Sequence, residues 1–174
     1  MKRVLINDND LEIKDIDYDV IRVKGLVISN GELVMVDNNN TYQLPGGHNV
    51  KGEALEDTLA REIREELGIK LVIDDGPFMM ITTYDPNYMD MGSKVCSKIY
   101  YYVIETELEP DLNNLSLDAL EKETEFSVFK IKIDELDSFL NKAIKDGRID
   151  ASIGREMLLV SEEFSNIGGD LWEY

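Results

Sequence analysis

The stretch "VCSKIYYYVIE" (Val95–Glu105) limits this chain's fold more than any other. Successive strand residues face opposite sides, so Ile99, Tyr101 and Val103 point one way and Tyr100, Tyr102 and Ile104 the other. A strand apolar on both faces has to be covered on both, which places it in the middle of a layered structure. The remaining segments supply the layers.

"VIRVKGLVIS" (Val20–Ser29) is rich in β-branched residues and "ELVMVD" (Glu32–Asp37) alternates. Asn30-Gly31 lies between them, a hairpin signal because both residues tolerate positive φ. Thr41–Leu44 reads as a short strand ending at Pro45-Gly46-Gly47. Leu55, Leu59, Ile63 and Leu67 recur every four residues, which predicts a helix over Ala54–Leu67, with Gly68 as its left-handed stop. Lys70–Asp74, Phe78–Tyr84 and Phe126–Ile133 read as strands, and Asp85–Lys94 and residues 106–125 as loops. Asp134 and Asp137 are candidate caps for a helix carrying Leu136, Phe139, Leu140, Ala143 and Ile144. A last helix is expected over Ile153–Phe164. Strands with one early and two late helices suggest an α/β fold, a mixed sheet covered on both faces.

At 174 residues the chain is expected to form one domain over 1–174, with 1–18 as an N-terminal extension and 166–174 as a C-terminal tail. Residues 1–18 are left with three roles: completing the sheet, crossing to a partner subunit, or staying mobile. Lys and Arg total 18 against 36 Asp and Glu, for a formal charge of −18. That field repels polyanions, which argues against a nucleic-acid partner, whereas metal ions can mask it locally for a small anion. The N-terminal residues are too charged for a signal peptide's apolar core, and no run reaches the length of a membrane span. The lone Cys96 cannot form an internal disulfide and suits a small buried position. A cytoplasmic location without membrane contact is the expectation; oligomeric state is left open, a homodimer included.

Within "GGHNVKGEALEDTLAREIREELGI" (Gly46–Ile69), Glu62, Glu65 and Glu66 project within about 100° of one another on a helix. Like charges at that spacing repel by a few tenths of a kcal/mol per pair. Taken alone, three such glutamates are the pattern of a solvated face. A helix packed by its leucine stripe would instead hold them rigidly at the edge of the core. Hard divalent cations accept such oxygen clusters, and Mg²⁺ prefers one or two carboxylates together with waters and phosphate oxygens. Arg61 and Arg64 are placed to pair with neighbouring carboxylates, and Gly46-Gly47 lets backbone approach a ligand closely.

With Gly47, Glu53 six residues on, and then "REIREELGI" from Arg61 to Ile69, the stretch resembles a complete Nudix box. The resemblance implies an α/β/α sandwich with a mixed β-sheet. It implies Mg²⁺ (or Mn²⁺) on Glu62, Glu65 and Glu66, joined by the backbone carbonyl of Gly46. It also implies that Arg61 orients the glutamates and that Glu53 supports the metal–water network. The general base in such proteins is a box glutamate such as Glu65 or a carboxylate from a later loop. Glu121, Glu123 and Glu125 are candidates for the latter, Glu123 and Glu125 ahead of Glu121.

The implied reaction is water attack on a diphosphate linked to some other moiety. Its substrate would be a small nucleotide-type molecule such as ADP-ribose, a nucleotide sugar or a nucleoside triphosphate. His48, Tyr84 and Tyr88 are candidate substrate contacts, the tyrosines flanking or within a loop that includes Met89 and Met91. Downstream of the box, a proline goes with ADP-ribose hydrolysis in the family and a tyrosine with dinucleoside polyphosphates. Pro86 and Tyr88 are both present, so the substrate stays open. Tyr100–Tyr102 read as core aromatics rather than a stacking platform. The alternative function is a non-catalytic nucleotide-sensing Nudix domain, against which stands the full set of glutamates. The isomerase branch that uses a cysteine and several histidines is discounted because His48 is the only histidine.

Overall fold

In the computed structural model, Asn30 and Gly31 turn with φ of 50° and 81° and close strand β2 (Tyr18–Ser29) onto β3 (Glu32–Asn38). Residues 1–117 and 125–168 are described. The other elements are β1 (Lys2–Ile6), β4 (Thr41–Gln43), α1 (Leu55–Leu67), β5 (Met79–Tyr88), β6 (Ser93–Thr106), β7 (Phe126–Lys132), α2 (Leu136–Lys145) and α3 (Ala151–Gly168). The strands form one mixed sheet in the order β1-β5-β6-β2-β3-β4, with β7 paired to β3. β1 runs parallel to β5 and β2 parallel to β6, and the remaining pairings are antiparallel.

The two faces of β6 divide the core as its alternation predicts. Ile99 and Tyr101 join Leu26, Ile28, Met35 and Leu140 under α2 and α3, while Tyr102 joins Val23, Val27, Leu59, Ile63 and Leu67 under α1. Leu59, Ile63 and Leu67 have no exposed surface, and such burial contributes about 1.5–3 kcal/mol per side chain. Cys96 is buried and its thiol is free. No helix among the described residues is long and apolar enough to cross a membrane.

Four expectations are corrected and one left open is resolved. Residues 70–74 form no strand: Ile69, Leu71 and Ile73 pack on the α1 cluster while Val72 faces solvent, so the alternation reflects one-sided burial. The expected loop Asp85–Lys94 is mostly a hairpin in which β5 continues to Tyr88 and β6 begins at Ser93. The ladder shifts between Asp85 and Tyr88, where Pro86 has no N–H to donate, then resumes at Tyr88↔Ser93. Asp134 and Asp137 do not cap α2, since a 3₁₀ turn (Ile133–Glu135) leads into it and Asp137 instead accepts from the Ser161 hydroxyl at 2.7 Å. α3 extends the last helix in both directions, with Asp150 Oδ1 accepting the Ser152 N–H at 2.8 Å, and takes in residues 166–168 of the expected tail. Of the roles open to residues 1–18, Lys2–Ile6 completes the sheet edge beside β5. Glu121, Glu123 and Trp172 lie outside the described residues.

Candidate functional site

β2 and β3 stay paired only at Ile28↔Leu33 and Ser29↔Glu32 and then part. The space beside β2 is filled by Pro45-Gly46-Gly47: Val23 N–H donates to the Gly47 carbonyl at 3.0 Å and Gly25 N–H to the Pro45 carbonyl at 2.9 Å. Gly46 sits at φ 128°, a conformation that side chains rarely adopt. A cleft of about 270 Å³ opens where the strands diverge, lined by Arg22, Lys24, Asn38, Gln43, the glycines, His48, Glu62 and Glu66.

α1 presents its acidic flank to this cleft because its leucine stripe is locked into the core. Arg61 organises that flank. Its guanidinium donates to Glu53 (3.1 and 3.2 Å), to Glu62 Oε1 (2.7 Å) and to Glu65 Oε2 (3.3 Å), and Nη2 reaches the His48 carbonyl at 3.3 Å. Glu53 is fixed from its other side by the Thr58 hydroxyl, which donates to Oε2 at 2.9 Å and accepts from Asn49 Nδ2 at 2.6 Å. Arg61, and Thr58 behind it, hold the Glu53 carboxyl below its ordinary range. In return Glu53, and after it Glu62, push the Arg61 pKa up against the opposing effect of burial. Glu62 shifts the other way: burial raises its pKa, with the Arg61 charge opposing. Glu66, buried, accepts the Gly46 N–H on Oε2 at 2.7 Å and so ties the glycine loop to the helix.

The expected residues thus fall into groups. Gly46, Gly47, His48, Glu53, Arg61, Glu62, Glu65 and Glu66 are brought together around the cleft mouth. Arg64 is exposed and forms no ion pair among the described residues, because its position on α1 faces away from the acidic flank. Tyr88 reaches the site through its hydroxyl, 3.1 Å from His48 Nε2. Desolvation, with Arg22 and Lys24 nearby, holds the His48 imidazole below its usual pKa. Tyr84 lines a different cavity. Glu125 has an exposed side chain, and its carbonyl accepts the Asn39 N–H at 2.9 Å.

Arg22 and Lys24 on the opposite wall are additions to the sequence reading. Lys24 Nζ donates to the carbonyls of Leu44 (2.8 Å) and Gly46 (2.7 Å), so the Gly46 carbonyl expected to face a metal already serves a cation. A signal for this pair was present: in "RVKGLVI" Arg22 and Lys24 share a strand face with the core residues Leu26 and Ile28, an unusual place for charge.

The donor set fits a hard divalent cation. It is all oxygen, it contains the partly buried Glu62 carboxylate that desolvation makes costly to ionise, and Arg61 is a positive charge already paired with two of its members, Glu62 and Glu65. A Cβ on Gly47 would lie 2.5 Å from Glu62 Oε1, so glycine keeps that carboxylate in place. Among the described residues no three acidic, histidine or cysteine side chains are grouped closely enough to hold a metal ion by themselves. Mg²⁺ sites take waters and phosphate oxygens to complete their shell.

A model of the NUDIX domain matches residues 21–151, and the chain belongs to the Nudix family. Solved structures share the fold at low identity. A NUDIX hydrolase from Nitrosomonas europaea aligns with TM-score 0.57 and 14% identity, over 90% of this chain and 97% of that one. A MutT protein from Bacillus halodurans aligns with TM-score 0.55 and 16% identity, over 82% of each chain. A bifunctional NMN adenylyltransferase/ADP ribose pyrophosphatase from Francisella tularensis, complexed with AMP and a Mn ion, gives TM-score 0.54 and 21% identity. That alignment covers 83% of this chain and 42% of the Francisella chain. No curated protein matches the sequence.

Proposed function

We propose that the protein hydrolyses a phosphoanhydride bond in a nucleoside diphosphate linked to another moiety, with Mg²⁺ or Mn²⁺ bound. The observation that carries this reading is the Arg61-centred network of Glu53, Glu62 and Glu65, facing a cleft whose other wall is Arg22 and Lys24. One wall suits a cation and the other a phosphate. Glu62, Glu65 and Glu66 would hold the metal, which supplies polarisation of a phosphoryl oxygen and acidification of water.

The chain's own groups do the rest. Arg61 restricts the rotamers of three carboxylates at once, and Glu66 keeps the glycine loop against α1. Arg22 and Lys24 attract and orient the phosphates. Glu65, its side chain 34% exposed and held among the described residues by the 3.3 Å bond to Arg61 alone, is the most water-accessible of the carboxylates paired with Arg61. In this reading Glu65 takes the proton as the water oxygen attacks phosphorus and the bridging P–O bond breaks. Glu125 is the alternative base, being next to Phe126, which pairs with Asn38 at the cleft.

The direct test is a phosphatase-coupled phosphate-release screen over ADP-ribose, nucleotide sugars, dinucleoside polyphosphates and nucleoside triphosphates. Product from at least one class is expected, and binding without product would indicate a sensor instead. Two predictions accompany it. Millimolar Mg²⁺ or Mn²⁺ should raise the thermal midpoint, since ligand at 100 times its Kd stabilises by about 2.7 kcal/mol; differential scanning fluorimetry reads this, and no shift would count against the metal site. Arg61→Ala should lower kcat/KM by roughly 10–100-fold, as loss of groups that orient metal ligands does. Steady-state kinetics at several metal concentrations would check it.

A further inference from the structure

Lys24 is a charged residue in an apolar place. It shares its face of β2 with the core residues Leu26 and Ile28, and only 8% of its surface is exposed. An ammonium there has lost most of its water and needs acceptors at fixed positions to offset the loss. Backbone carbonyls supply them: Nζ donates to Leu44 at 2.8 Å and to Gly46 at 2.7 Å. Gly46 is then held on two sides, since its N–H donates to Glu66 Oε2 at 2.7 Å. One residue of the glycine loop thus joins a buried cation on β2 to a buried carboxylate on α1.

Lys24 also lines the cleft with Glu62 and Glu66. Burial raises the Glu62 pKa, and Lys24, after Arg61, is one of the charges opposing that rise. The lysine therefore acts electrostatically on the carboxylates as well as mechanically on the loop. A metal ion that used the Gly46 carbonyl would meet the ammonium there. The oxygen has two lone pairs, yet two cations on one acceptor repel, doubly so when one is a dication. Water screens that repulsion weakly at a side chain this buried.

We propose that Lys24 is the resident counter-cation of the glutamate cleft: it occupies the Gly46 carbonyl in place of a metal ion and lowers the metal affinity of Glu62, Glu65 and Glu66. This rests on the metal-bound reading above for the identity of the ligands. Lys24 is then a positioning residue rather than a catalytic one. Removing its charge has two opposed effects. The glycine loop loses the hydrogen bonds to Leu44 and Gly46, which weakens the site, and the repulsion disappears, which strengthens it. The loop keeps its main-chain bonds from Val23 and Gly25 and its bond to Glu66, so the loosening is partial. The repulsion is lost whole, and it decides the sign.

Mn²⁺ binding to the protein alone, read from the electron paramagnetic resonance of the free ion, tests this without turnover. Lys24→Met keeps the side chain's reach and removes the charge, and it should bind Mn²⁺ about tenfold more tightly than the wild type. Arg155→Met removes a positive charge from an exposed ion pair with Asp8 on α3. Its affinity should stay within about twofold of the wild type, which separates a local charge from the net charge of the chain. If Lys24→Met fails to fold, Lys24→Gln decides, because it keeps a donor, loses the charge and should show the same gain. A lysine with a purely structural role gives the opposite sign, since a looser glycine loop binds metal less well. A fall in affinity, no change, or an equal gain in Arg155→Met would overturn the proposal. Mn²⁺ binding by the wild type with no gain in the Lys24 variants strikes this proposal and leaves the phosphoanhydride reading standing. Absence of Mn²⁺ binding by every form strikes both.

Discussion

Glu66→Gln should lower kcat by about a thousandfold while the protein stays folded. The substitution keeps side-chain volume and an oxygen that can still accept the Gly46 N–H, now 2.7 Å from Glu66 Oε2. It removes one unit of negative charge from a residue 6% exposed, where solvent screens weakly. At an effective dielectric near 20, a unit charge 4 Å from another is worth about 4 kcal/mol, and a barrier raised by that amount slows reaction by about 10³. Single-turnover phosphate release gives the rate, and a urea unfolding midpoint close to the wild type's shows that the fold survives. A fully active variant would mean that the chemistry lies elsewhere.

Gly46→Ala should act on the fold itself. A Cβ there would lie 2.2 Å from the carbonyl oxygen of Val23 and 3.0 Å from Lys24 Cα, both backbone atoms of β2, at a φ of 128°. Backbone cannot swing aside as a side chain can, so the loop must leave β2. That breaks the Val23–Gly47 and Gly25–Pro45 hydrogen bonds and withdraws the Gly46 carbonyl from Lys24. Strain of this kind with the loss of buried hydrogen bonds is expected to cost about 3 kcal/mol or more. Urea denaturation of the variant reads the loss directly, and an unchanged midpoint would show that the loop can be accommodated another way.

Much of the site was legible because its chemistry is local. Glu53, Arg61, Glu62, Glu65 and Glu66 lie within fourteen residues, and helical spacing alone places the last three on one flank beside the leucine stripe. The pairing of Arg61 with Glu65 follows from the same i,i+4 geometry. Arg64, three residues further on, could not be separated from Arg61 by charge or proximity, since only the packing of α1 decides which arginine faces the loop. The hairpin at Asn30-Gly31 and the two-faced strand β6 were equally readable, each from a short-range rule.

Longer-range features were not. The alternation in residues 70–74 marks burial, and burial against a helix cluster looks the same in sequence as pairing in a sheet. Pro86 suggested a loop, yet the ladder resumes at Tyr88 because β6 across from it supplies the register. By itself the sequence determined the acidic helix, its stop at Gly68 and the need for cover on both faces of β6, because each depends on residues a few positions apart. Only the tertiary structure decided that β2 and β3 part to open the cleft and that Arg22 and Lys24 stand across it from Glu62. It alone brought Ile6 and Glu156 to the same cavity, since strand divergence and the meeting of distant segments follow from packing of the whole chain.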